Sequence, residues 1–239
     1  MLRNECFAKL KRAFAGGAYD VAFFSPPCHT FSICRFRFMS GFPILRTYFD
    51  VLGKNTTGDH LVAVTAVNTI IERMCDLIML MHAQTKDWAI ENPVQRSDTS
   101  GFWKRYFSAK FKMHGSLWQM PCIVELMRVT GAVVVNVPMC FFDPDGPQKY
   151  TTVLISKSLA PAASALTRAC CSHDKHKTIA VGLEHSRASQ VYSSPFCETW
   201  ARVMRWTDDA GTCSQRFCHT WHCARRRRRH QTCQSYPLM

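Results

Sequence analysis

The chain has 239 residues, 47% hydrophobic and 20% charged, and its 30 lysines and arginines outnumber its 17 aspartates and glutamates for a formal net charge of +13. That content suits a soluble globular chain with one substantial core and a small second lobe, and excludes a disordered polymer poor in apolar residues. Thirteen cysteines, an odd number with no repeating frame in a chain too long to need stapling, exclude a disulfide scaffold and read as reduced thiols of a nuclear or cytoplasmic compartment.

In chain order, Lys9, Lys11 and Arg12 break any apolar stretch at the amino terminus, so no secretory leader is expected. Gly16, Gly17 and Asp20 lead into a short β-compatible run at 21–24. Pro26 and Pro27 fix φ and cannot donate to a ladder, so the strand stops and Cys28 follows at its carboxyl end. Open α/β sheets place their ligand crevices there. Residues 35–60 read as an inserted loop in which Arg35, Arg37 and Arg46 face either phosphate or solvent. A helix is expected over 61–82; Glu72, Arg73 and Asp76 interrupt its apolar face, which argues for a buried or amphipathic helix over a membrane span.

Residues 88–93 repeat the first layout, with an apolar strand from Trp88 to Ile90 running into Glu91, Asn92 and Pro93. Residues 102–113, FWKRYFSAKFKM, mix aromatic and basic side chains and read as a helix facing either the core or nucleic acid. The β-branched run within 131–142 and the segment 150–156 are strand candidates. Strands alternating with helical stretches predict an α/β fold with a mainly parallel sheet. Two Cys/His groups, Cys170, Cys171, His173 and His176, then Cys213, Cys218, His219, His222 and Cys223, lack the paired spacings of a zinc knuckle, so no metal is expected. Residues 206–239 have no periodicity and are expected to be a disordered basic tail. Its arginine run at 225–229 reads either as a nuclear-localisation or nucleic-acid patch or as translated non-coding sequence. A basic chain suits a polyanionic partner, because neutralising phosphates releases counterions.

Three of these segments together resemble a known family. SPPCHTFS at 25–32 resembles the catalytic PPCQ-x-FS element of the cytosine-C5 DNA methyltransferases, and IENP at 90–93 resembles their ENV/ENP element. GPQKYTTVLI at 146–155 resembles the Q-x-R-x-R strand, with Gln148 in the glutamine position but Tyr150 and Thr152 where the family has arginines. The elements stand in the family's order, and VYSSPF at 191–196 resembles its closing segment, so the likeness spans roughly residues 15–205. Amino-group methyltransferases use D/N-P-P-Y/F and need no thiol; here Cys28 follows Pro27 directly and Phe31 stands three residues on, as in the C5 class.

The resemblance implies a Rossmann-like class I methyltransferase fold over 1–205, with a reduced target-recognition region at 157–190. It implies Cys28 as the nucleophile that adds to cytosine C6 and Glu91 as the acid that hydrogen-bonds N3. Pro27, Ser32, Asn92 and Gln148 would line the base. The methyl donor would be S-adenosylmethionine and the substrate a cytosine flipped out of DNA, with RNA also open. Two features depart from the family. The gap between Cys28 and Glu91 is long, and residues 1–18 are too short for the glycine-rich loop that cradles the cofactor. The expectation is a methyltransferase-like catalytic portion whose unaided activity is in doubt without that loop; the alternative is a catalytically inactive nucleic-acid-binding remnant or half of a split enzyme.

Overall fold

Strand β2 (Asp87–Pro93) is the axis of the molecule, buried along all but its last residue. A computed structural model describes residues 4–36, 43–145, 149–164, 166–169, 171 and 192–205. Around β2 lie α1 (Asn4–Ala15), β1 (Val21–Phe24), α2 (Gly58–Ala83), α3 (Pro121–Thr130), β3 (Val133–Pro138), β4 (Tyr150–Ile155) and α4 (Ser194–Arg205), joined in places by short 3-10 turns. The four strands form one sheet in the order β1-β2-β4-β3.

β1 runs parallel to β2, with Phe24 opposite Ile90, whereas β4 is antiparallel to both β2 and β3. β1, β2 and β3 therefore point the same way, and β4 is inserted against them. The expectation of a mainly parallel sheet is corrected: one of the three pairings is parallel. The reason is connection length. The β1–β2 link carries α2 and can cross over the sheet, whereas residues 139–149 are too few for a crossover, so β4 returns antiparallel.

Alternation along β2 sends Trp88 and Ile90 to one face and Ala89 to the other. The first face packs on Ile71, Ile78 and Met81 of α2, Ile123 of α3 and Trp118. The second face, with Val153 and Ile155, is covered by Leu159 and Ala163 in the turns after β4 and by Phe196, Trp200 and Val203 of α4. In α2 the buried positions Val64, Val67, Ile71, Met74, Ile78 and Met81 recur every three or four residues, which puts one apolar stripe on the sheet. Helices on both faces of a sheet make this an α/β fold.

Several sequence expectations shift. β1 ends at Phe24, so residues 25–27 separate the sheet from Cys28. β2 continues through Glu91 to Pro93 because β4 pairs with it there. The helix expected at 61–82 spans Gly58–Ala83. Residues 102–113 form no α-helix; they fold as 3-10 turns at Gly101–Tyr106 and Ala109–Phe111. A 3-10 turn aligns positions three apart, and Trp103 and Tyr106 are both buried, with Trp103 stacked on Trp118 at 6.1 Å. α1 and α3 were not expected, although α3 carries a helix signature in Pro121 at its first turn and Gly131, left-handed at φ 61°, at its end. No helix among the described residues is long and apolar enough to cross a membrane. Residues 206–239 lie outside the described residues, as do most of 170–191.

Candidate active site

The carboxyl ends of β1, β2 and β3 share one edge of the sheet with the amino end of β4, since Thr151 pairs with Pro93 and Tyr150 with Pro138. Cys28 reaches that edge on the segment after β1. Its carbonyl accepts from the Phe31 amide at 2.9 Å, which turns the chain back immediately after the thiol. Ser32 Oγ accepts from the Cys34 amide at 3.2 Å and so caps the turn Ile33–Phe36, while the Pro27 ring is exposed.

Two buried side chains grip this turn from behind. Arg46 is 1% exposed; its guanidinium stacks 4.1 Å from the Phe31 ring centre and donates to Thr30 Oγ1 (3.0 Å), the Val51 carbonyl (2.6 Å) and the Val64 carbonyl (3.3 Å). Burial lowers its pKa to about 10. The expectation that Arg46 faces phosphate or solvent is therefore wrong: every guanidinium nitrogen is spent on the protein's own oxygens. Arg35 likewise donates to the carbonyls of His29 (2.7 Å) and Pro43 (2.9 Å), and Arg37 lies outside the described residues. His114, fully buried, bonds the Phe31 carbonyl through Nε2 at 2.8 Å, and burial pushes its pKa down to about 4.

Glu91 comes from the interior of β2 and is 3% exposed. Three hydroxyls clasp it. Thr151 of β4 donates to Oε1 at 3.0 Å and Ser25 to Oε2 at 3.0 Å, and the Tyr192 phenol also donates to Oε2. Thr151 can do so because register places Val153 opposite Glu91 and residue 151 diagonally beside it on the same face. Tyr192 stacks on Phe196 of α4 at 4.9 Å, and Lys149 places its ammonium 4.8 Å over the Tyr192 ring. Burial, and after it the Glu91 carboxylate, push the Tyr192 phenol pKa up.

The half-buried Cys28 thiol is raised above its ordinary pKa, first by burial and further by the Glu91 charge, against the opposing pull of Lys149. Cys28, Glu91, Lys149 and Tyr192 thus act on one another as a single electrostatic cluster. Asn92, the next residue of β2, donates to the Pro26 carbonyl at 3.2 Å and pins the proline turn to the strand that carries Glu91; its own Oδ1 is buried without a protein partner. Of the sequence candidates, Cys28, Glu91 and Asn92 meet at this edge, Ser32 serves its own turn, and Gln148 lies outside the described residues. Ser25, Thr151, Lys149 and Tyr192 were missed as site residues, though each sits inside a segment quoted for the family likeness.

The described residues do not build a cradle for S-adenosylmethionine. Gly16 and Gly17 close α1 instead: the Gly16 amide donates to the Arg12 carbonyl at 2.9 Å, and Gly17 turns at φ 72° against the Gln84 side chain, where an added Cβ would meet Oε1 at 3.2 Å. That turn leads into the amino end of β1, the edge opposite Cys28, whereas open sheets bind ligands at strand carboxyl ends. Among the described residues no group of three or more Cys, His, Asp or Glu side chains is placed to hold a metal, and all but Cys171 of the two Cys/His groups lie outside them. Comparison with family models, curated protein sequences and solved structures found no match to this chain.

Proposed function

We propose that this chain is the catalytic portion of a cytosine-C5 methyltransferase-like protein acting on nucleic acid, with Cys28 as nucleophile and Glu91 as the N3-contacting acid. The observation that carries the reading is that Cys28, on the turn after β1, and Glu91, in the neighbouring parallel strand β2, lie near enough at one sheet edge for the Glu91 charge to act on the thiol, beside Lys149. The parallel β1–β2 pair, the co-directed β3 beyond the antiparallel β4, and helices on both faces of the sheet support a Rossmann-like relationship.

The chemistry assigned to the chain's own residues is reversible addition. Cys28 loses its proton to solvent and its sulfur attacks C6 of a cytosine ring, forming the S–C6 bond as the C5–C6 double bond opens. Glu91, a carboxylate in the free site, takes up a proton from solvent and donates it toward N3 as electron density gathers there, and C5 becomes enamine-like. Elimination reverses each step and returns the thiolate. Lys149 stabilises that thiolate, opposing the burial that disfavours it. S-adenosylmethionine would supply the methyl group for C5; the described residues do not fit it, so the reading assigns its binding to other segments or to a second polypeptide.

A second reading, a non-catalytic nucleic-acid binder, is favoured by one observation: Ser25, Tyr192 and Thr151 already occupy the Glu91 carboxylate. The two readings separate without cofactor. While the adduct stands, the enamine-like C5 takes up a proton from solvent and then gives its original hydrogen to water before the S–C6 bond breaks, so the full chain should release tritium from [5-³H]cytosine oligonucleotides, and Cys28→Ala should abolish release while retaining binding. Retained binding with no release from either form would establish the non-catalytic reading.

A further inference from the structure

A second concavity opens at the same sheet edge, a cavity of about 320 Å³ whose lining includes Arg96, Arg105, Tyr106, Phe107, Pro138 and Tyr150. Its chemistry is two guanidinium groups and three aromatic rings, with no carboxylate among the described lining residues. Arg96 is built in: Nε donates to the Tyr106 carbonyl at 2.6 Å, and the guanidinium lies 5.5 Å from the Tyr150 ring and 5.4 Å from Phe111. Tyr106 and Tyr150 stand 5.3 Å apart at 58° and form an aromatic wall. Arg105 is exposed 6.0 Å from the Tyr106 ring, and Phe107 is 37% exposed.

The surroundings extend this character. From residue 99 to 124 the sequence contains no aspartate or glutamate, and Lys104, Lys110 and Lys112 all stand exposed on it. Phe102 is 66% exposed, and its carbonyl is held by the Asn136 amide at 3.0 Å, which ties this turn to β3. The 3-10 turns divide the segment's aromatics, Trp103, Tyr106 and Phe111 going inward while Phe102 and Phe107 remain outside. The chain links this surface directly to the cysteine site, since Tyr150 lines the cavity and Lys149, one residue earlier, faces Tyr192 and acts on Cys28.

We infer that the Arg96–Arg105 cavity binds the phosphodiester backbone of single-stranded nucleic acid beside the base presented to Cys28, a neighbouring base stacking on Phe107. The inference rests on the proposed reading and gives it a strand-holding surface within 96–113. Guanidinium pairs match phosphate oxygens, aromatic faces take any base, and the combination is that of single-strand sites. The volume sits at the small end of ligand sites.

The test is fluorescence-anisotropy titration of a labelled single-stranded oligonucleotide with the full chain over a range of salt. Arg105→Glu should weaken binding about tenfold or more and flatten the salt dependence by about 0.7 in log–log slope, one phosphate of a single strand. Phe107→Ala should weaken binding about tenfold with the salt slope unchanged. Both residues are exposed, so thermal melting should match the wild type, and Cys28→Ala should bind normally. Binding by Arg105→Glu and Phe107→Ala at wild-type strength, no binding by the wild type, or equal competition by inorganic phosphate at matched ionic strength would overturn the inference. Arg105-dependent binding without any C5 tritium release would sink the catalytic reading alone.

Discussion

The two halves of the proposed site are held in different ways. Glu91 is part of a strand: its position follows from the register between β2 and β4, and its partners are short hydroxyl side chains. Cys28 sits on a turn outside the sheet, held at a distance by Arg46 and His114 through Thr30 and Phe31. The carboxylate's backbone is placed by sheet register, whereas the thiol depends on the buried polar groups behind its turn.

Arg46→Ala should expose that difference most strongly. It strands the Thr30 hydroxyl and the carbonyls of Val51 and Val64 and opens a space beneath Phe31, so a loss of about 3 kcal/mol in chemical denaturation is expected. Alkylation of Cys28 should lose its site-specific rate in the same variant. A wild-type alkylation profile in Arg46→Ala would mean that the turn holds itself.

His114 gives the turn a pH dependence. Its folded pKa of about 4 lies below the ordinary 6.5, so the unfolded chain takes up a proton first as pH falls. The associated stability is complete above about pH 6.5 and is lost progressively down to about pH 4, a decline of about 3 kcal/mol. Denaturation midpoints across that window should fall in the wild type and stay flatter in His114→Gln, whose amide can still donate to the Phe31 carbonyl.

A smaller effect is expected at Lys149. Its charge lowers the Cys28 pKa against burial, so Lys149→Gln should move the alkylation midpoint to higher pH with little change in melting temperature. An unmoved midpoint would separate Lys149 from the thiol.

The same contrast explains what the sequence disclosed. SPPC and IENP were legible because their chemistry is local: two prolines end a strand, and a carboxylate interrupts an apolar run. The long gap between Cys28 and Glu91 contains α2, the 26-residue crossover helix that parallel pairing demands. Arg46 was misread because nothing in its neighbours marks a guanidinium that will be buried on Phe31. Tyr192 reaches Glu91 from 101 residues away, a contact that no spacing rule reports. The 102–113 segment was misread in period, since its aromatics at 103 and 106 suit a 3-10 turn as well as a helix.

The most direct test of the paired site is tritium release from [5-³H]cytosine oligonucleotides by Glu91→Gln beside Tyr192→Phe. Acting as the N3 acid, Glu91 has a proton to give that an amide cannot replace, so Glu91→Gln should cut release about 100-fold while still binding the strand. Tyr192→Phe, which removes one donor from the carboxylate, should retain release. Release by Glu91→Gln at the wild-type rate would contradict the account and leave Glu91 as a structural carboxylate.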